Sequence, residues 1–348
     1  MSPGHEPLIE LGANENPLGP SPHVRDAILR ELDHLHRYPP GDEALRTALA
    51  HSHGRGLTPA HFVTAASGSE IIDLISRAFL ERGDGIILST PTFVVYAPMA
   101  DLQGAAVVDV PLNPLDFSLD VDGLLSAVTP RTRLVYVCNP GNPTGVMAPG
   151  TDVMRLVNQL PPHVTLVSDE VYADYVDDPD FPDTTAALLA DARVIVIRSF
   201  SKVFGLAGLR LGYALAPPSI VKRLSGFLRP YHLGRLALAA GIAALEDTAH
   251  VRRTIELAQR GRRLLYDELA ALGVDVWKSQ ANFVMVRPPD GEAMLAALAQ
   301  HGIRARSTLK NGLPGALRVT AGLDSENEGF LDAFAQTLGR PRRRSIAR

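Results

Sequence analysis

The run Val194-Ile195-Val196-Ile197, bounded by Arg193 and Arg198, limits the fold of this chain more than any other stretch. Consecutive β-branched, apolar residues with no polar alternation predict a strand buried on both faces of a sheet. Such a strand needs helices packed on either side, which places the chain in the α/β class. Two similar runs lie upstream. Leu134–Val137 leads into Cys138-Asn139-Pro140-Gly141-Asn142, and Val164–Val167 leads into Ser168-Asp169-Glu170-Val171-Tyr172. Helical segments such as 152–160 fall between the strands, and this alternation implies a mainly parallel sheet. In open α/β sheets ligands bind beyond the carboxyl ends of the strands. Three such ends carry reactive or polar groups here: Asn142, then Asp169 with Tyr172, then Ser199-Phe200-Ser201-Lys202.

A lysine held in dry surroundings has a lowered pKa, so part of it is a neutral amine able to attack a carbonyl. Ser199, Ser201 and Arg210 lie close to Lys202 in the chain and suit a phosphate. A second anion site is expected at Ala66-Ser67-Gly68-Ser69-Glu70, where a turn of small residues opens the helix from Ile71 and leaves free backbone N–H groups at its positive end. An ordinary N-cap at Ser67 or Ser69 explains the same residues. An amine nucleophile beside phosphate-binding groups fits a phosphorylated aldehyde.

Composition excludes several alternatives. With 34 Lys and Arg against 38 Asp and Glu, the net charge of −4 gives no general field for nucleic acid. The basic segment 340–348 is expected to be a disordered, solvated tail. Cys138 is the sole cysteine, which rules out an intrachain disulfide and points to a reducing compartment. No metal site is expected, since His51 and His53, though a close pair, have no cluster of thiolate or imidazole ligands at metal spacing around them. No span is long enough for a membrane, and Met1–Glu10 lacks the pattern of a signal peptide, so a cytoplasmic protein is expected. Neither Gly-x-x-x-x-Gly-Lys nor a strand followed by Gly-x-Gly-x-x-Gly occurs, so a nucleotide fold has no direct support.

Several motifs occur in one order along the chain: Asn14-Glu15-Asn16-Pro17, Arg37-Tyr38-Pro39, Ser67-Gly68-Ser69, Pro91-Thr92-Phe93, Asn142, Asp169 with Tyr172, Ser199-x-Ser201-Lys202 with Arg210, and Leu317-Arg318-Val319. From Leu11 to Leu338 the chain resembles the class I/II, fold type I aminotransferases that use pyridoxal 5'-phosphate (PLP), and among them most nearly the histidinol-phosphate aminotransferases. The resemblance implies that Lys202 forms an imine with the cofactor and moves the proton. It further implies that Asp169 faces the pyridine nitrogen, that Asn142 and Tyr172 bond the ring oxygen, and that Phe93 stacks on the ring. Gly68, Ser69, Glu70, Ser199, Ser201 and Arg210 would bind on the phosphate side. Arg318 would grip a substrate carboxylate, Arg306 a substrate phosphate, with Arg304 nearby as a rival, and Asn14 would line the entrance.

Tyr38 is implied to reach the neighbouring site of a homodimer. The expected organisation is 1–36 packing with the small domain, 37–235 as the large PLP-binding domain, and 236–339 as a small α+β domain. Only about ten residues precede the Asn14 loop, fewer than the arm that helps close the site in histidinol-phosphate aminotransferases, so a different amino substrate is also open. The same fold could instead decarboxylate, eliminate or oxidise, or serve as a non-catalytic binding protein.

Overall fold

The computed structural model describes residues 8–190 and 193–342. The ends of the expected terminal segments, residues 1–7 and 343–348, lie outside the described residues. Thirteen strands are assigned among them: β1 (Ile9–Glu10), β2 (Phe62–Ala65), β3 (Gly85–Thr90), β4 (Ala106–Pro111), β5 (Thr132–Cys138), β6 (Thr165–Asp169), β7 (Val194–Ser199), β8 (Gly212–Leu215), β9 (Asp275–Val276), β10 (Phe283–Arg287), β11 (Ile303–Arg304), β12 (Arg306–Ser307) and β13 (Leu317–Thr320).

Seven of them form one sheet in the order β2-β8-β7-β6-β5-β3-β4. The sheet is parallel except for β8, which runs antiparallel to both neighbours. The reason is length. Only the Lys202 loop and one short 3-10 turn separate β7 from β8, and a parallel return needs a full crossover segment. Both faces of the sheet are covered, as the unbroken apolar runs require. Val194 and Val196 belong to one buried cluster, Ile195 and Ile197 to another on the opposite face.

The smaller unit is a four-stranded antiparallel sheet, β12-β13-β10-β9, with the helices Thr248–Ala271 and Asp324–Thr337 contributing to its core. β1 pairs in parallel with β11 beside it. Two boundaries differ from expectation. The helix Arg235–Glu246, expected to open the small domain, packs against the helices Pro22–Glu31 and Glu43–His53 and places Leu238, Ala240 and Leu245 in the core of the large sheet. Its apolar sides fit either core, and the break falls instead at Asp247, which caps the next helix through the N–H of His250. The N-terminal segment is likewise divided. Leu11 joins the small core, whereas Val24 and Ala27 join the large one.

The tail also departs from expectation where it is described. Arg342 donates to the carboxylates of Glu268, Glu328 and Asp332 at 2.7, 2.6 and 3.0 Å, and Arg340 to the carbonyl of Leu272. Three acidic groups on two helices are enough to anchor this part of the segment expected to be disordered.

Candidate active site

β5, β6 and β7 are neighbours, with Cys138 paired to Asp169 and Asp169 to Ile197, so the residues following each strand share one edge. A cavity of about 350 Å³ opens there between the large and small sheets, a size within the range of small-molecule sites.

Asp169 ends β6 with 2% of its surface exposed. Its carboxylate accepts a hydrogen bond from the Tyr96 hydroxyl at 2.6 Å and a longer one from the N–H of Val171 at 3.3 Å. Burial pushes its pKa up to about 6, against the opposing effect of the Tyr96 bond. The adjacent Glu170 is held elsewhere, by Ser168, Thr184 and an ion pair with Arg198 at 2.9 Å. Asp169 is thus the carboxylate at this strand end that lines the cavity.

Lys202 lies three residues beyond β7, and its loop is narrow. Gly205 has φ +69°, and a Cβ there would meet the carbonyl oxygen of Gly19 at 2.5 Å, so a larger residue would displace the lysine. The ammonium donates to the carbonyls of Ala13 and Asn14 at 3.3 and 3.2 Å and sits 5.6 Å from the centre of the Tyr172 ring. Burial, then the charge of Arg318, lowers its pKa to about 8. Tyr172 is buried, and its hydroxyl accepts from the Asn14 side chain at 2.9 Å; burial raises its pKa to about 12, so the phenol is protonated at neutral pH.

One end of the cavity suits an anion. The helix Gly68–Phe79 begins there, capped by Ser67 through the N–H of Glu70, and the first N–H groups of a helix have no intrahelical acceptor. Ser67 adopts φ +114°, a conformation rare for a residue with a side chain. Against it packs Gly212, whose Cβ would come within 2.5 Å of the Gly68 nitrogen. Ser69, Ser199, Ser201 and Arg210 line the same cavity. Arg210 is turned by its left-handed backbone and donates to the carbonyl of Ala207 at 2.9 Å.

The small domain supplies the opposite wall. Arg318 on β13 donates to the side-chain oxygen of Asn142 at 2.7 Å and to the carbonyl of Gly12 at 2.7 Å; its Nε is buried without a partner. Asn142 is therefore engaged with Arg318, a contact its place in the chain did not suggest. Arg306 faces the cavity from β12, in register with Arg318, whereas Arg304 pairs with Glu10 at 3.1 Å. Phe93 and Asn14 also line the site.

Two expected residues stay outside the cavity. The Glu70 carboxylate folds back onto the N–H of Ala66 and serves its own helix end. Tyr38 is 77% exposed and stacks on Tyr231, with ring centres 4.6 Å apart. Sequence reasoning missed Tyr96, which is fully buried between Asp169 and the stacked ring of Tyr136. Its spacing of three residues after Phe93 is the only local signal. Lys310 was missed as a lining residue as well, whereas Glu15 lines the cavity with the Asn14 loop.

The residues present fit PLP. A buried carboxylate that forms no contact ion pair among the described residues faces a cavity that also holds an amine of lowered pKa and, at one end, a helix terminus with serines and an arginine.

Comparison with known proteins agrees. The family model for aminotransferase class I and II matches residues 6–334. The histidinol-phosphate aminotransferase of Moorella thermoacetica is 36% identical over 96% of this chain and 86% of its own. Among solved structures, the Sinorhizobium meliloti histidinol-phosphate aminotransferase in complex with pyridoxal-5'-phosphate superposes with a TM-score of 0.87 at 28% identity, covering 97% of this chain and 92% of that one. The Thermus thermophilus aspartate aminotransferase with maleate gives 0.85 at 26% identity, covering 95% and 92%. By strand order, site chemistry and these similarities, the chain belongs to the class I and II aminotransferases, enzymes that transfer amino groups with pyridoxal 5'-phosphate as cofactor.

Proposed function

We propose that this enzyme moves an amino group between a phosphate-bearing amine of the histidinol-phosphate type, or an L-amino acid, and a 2-oxo acid, with Lys202 as its reactive lysine. The observation that carries this reading is the meeting of Lys202, Asp169 and Arg318 in one cavity, brought there by β7, β6 and β13. When bound, PLP supplies an aldehyde that condenses with amines and a ring that takes up electrons.

The protein residues do the rest. Asp169, ionised at neutral pH, holds the proton on the pyridine nitrogen; at contact distance and an effective dielectric of about 20 such a pair is worth on the order of 4 kcal/mol. Lys202 Nζ, with a pKa near 8, has enough neutral form to take the proton from the substrate α-carbon and return it. Tyr172 and Asn142 would hold the ring oxygen, and Phe93, which lines the same cavity, would pack on the ring. Ser69, Ser199, Ser201 and Arg210, with the N–H groups at Gly68, bind the phosphate. Arg318, already fixed by Asn142 and Gly12, binds a carboxylate of the substrate, and Arg306 its phosphate. Asn14 bonds Tyr172 and closes the entrance side.

The active form in this reading is a cytoplasmic homodimer in which Tyr38 of one copy reaches the phosphate side of the other. Its exposure, together with that of Leu29, Leu32 and Leu35, supports this.

The test is the visible spectrum of the PLP-loaded protein before and after L-glutamate. Loss of the cofactor band with formation of 2-oxoglutarate is expected, followed by its return with the 2-oxo product of the phosphate-bearing amine. A band that ignores both L-glutamate and the phosphate-bearing amine, or release of CO2, ammonia or peroxide, would refute the reading.

A further inference from the structure

The charges lining the cavity do not balance. Lys202, Arg210, Arg306, Lys310 and Arg318 face only Glu15 and Asp169. In the function proposed above, on which this inference rests, Lys202, Arg210 and Asp169 are committed to the cofactor. Three cations then face the substrate against one carboxylate. Arg318 suffices for one carboxylate, which leaves Arg306 and Lys310 for a second anionic group.

The segment carrying Lys310 is firmly built although the side chain is exposed. Thr308 is buried, and its hydroxyl is shared between the carbonyls of Leu313 and Ala316 at 2.7 and 2.9 Å. Gly312 closes the turn at φ +82°, a left-handed conformation suited to glycine. Asn311, next to Lys310, donates to the carbonyl of Thr92 at 2.9 Å, which ties the turn across the cleft to the segment bearing Phe93. Among the described residues no carboxylate pairs with Lys310 or Arg306. A tethered turn thus holds a free ammonium at the cavity wall, four residues beyond a free guanidinium on the same wall.

The geometry points to Lys310 as a specificity-determining residue that, with Arg306, receives the distal anion of the substrate, either a phosphate monoester or a second carboxylate. This makes the enzyme selective for amines carrying at least one anionic group beyond the reacting end, over neutral amino acids of similar size. A lysine suits both anions because its ammonium acts as a point charge, whereas the planar arginine sets orientation.

The test compares wild type, Lys310→Ala, Lys310→Arg and Lys310→Glu, with Lys278→Ala as a charge-matched control on an exposed lysine outside the cavity. The first readout is kcat/KM for L-histidinol phosphate and for L-glutamate, each divided by that for L-phenylalanine. Lys310→Ala is expected to lower these ratios about tenfold, equivalent to about 1.4 kcal/mol. Lys310→Glu should lower them further, and Lys310→Arg should restore most of the loss. A fall confined to one donor identifies the anion that Lys310 serves. The second readout needs no turnover: calorimetric binding of glycerol 3-phosphate and of glutarate to the PLP-loaded protein, weakened about tenfold in Lys310→Ala. Unchanged ratios with unchanged binding, or an equal effect of Lys278→Ala, would overturn the inference while leaving the proposed function standing. Weakened binding in a protein that transaminates no donor would do the reverse.

Discussion

The two walls of the active site are built differently. On the large-sheet side the key groups follow directly from central strands, Asp169 ending β6 and Lys202 three residues past β7, with Tyr96 and Tyr172 buried around them. On the small-domain side the groups sit on the edge strand β12, on β13 and on a surface turn, and Arg306 and Lys310 are exposed. A core strand cannot shift without disturbing both buried faces of its sheet, whereas an edge strand and a turn tolerate change. The division implies that the first wall sets the reaction and the second the substrate. Substitutions on the first should then slow every amino donor alike, and substitutions on the second should reorder the donors.

The largest effect is expected at Lys202. Lys202→Ala should lower turnover by at least about ten-thousandfold with every donor, because in the proposed function Lys202 is both the nucleophile and the proton carrier. Borohydride reduction of the PLP-treated protein should then label no lysine, and a persisting label at another lysine would break the assignment.

Next comes Asp169→Asn, at a hundredfold or more as about 4 kcal/mol implies, again independent of donor. It carries a second, opposite consequence. The folded carboxyl has its pKa raised from 3.8 to about 6, so its contribution to stability is complete below pH 4 and is lost as pH rises through 6. The cofactor-free variant should therefore be more stable than wild type at pH 7, by about 3 kcal/mol, with the gain gone below pH 4. Equal melting curves across that range would show that the carboxylate is not desolvated as its burial implies.

Tyr96→Phe should have the smallest effect of the three, about tenfold in turnover. The ring remains stacked on Tyr136, but Asp169 loses its short hydrogen bond. Since that bond favours the ionised carboxylate, the acid limb of PLP binding should move to higher pH. A change in donor preference here, instead of a uniform loss, would undo the contrast between the walls.

The same contrast explains what could be read from the chain. Asn142, Asp169 and Lys202 were legible because each follows an apolar run, and a run of that kind announces both a buried strand and the ligand-binding end of it. The resemblance of the motifs to one family added the roles. Tyr96 was not legible: its partner is 73 residues away, and its spacing of three residues after Phe93 does not by itself mark the contact. Neither was the service of Glu70 to its own helix end, since a carboxylate at the start of a helix reads equally well as a cap or as a ligand. The helix Arg235–Glu246 was assigned to the wrong core because its abundant alanines are apolar on every side. Lys310 gave no signal, for a lone lysine in a turn is the commonest of surface features.

β1 pairs with β11 across a gap of 294 residues, counted from Glu10 to Arg304. Asn14 follows that strand, and its backbone N–H and side chain are bound by Thr320 of β13 and by Tyr172. During synthesis at roughly 5–20 residues per second, the large sheet can close while the first residues of the chain still have no strand to join. The carbonyls that meet Lys202 come from Ala13 and Asn14, so this lysine receives its last neighbours only after the C-terminal third has left the ribosome. A nascent chain or a C-terminally truncated fragment should thus hold Lys202 beside Tyr172 without the two carbonyls that complete its surroundings.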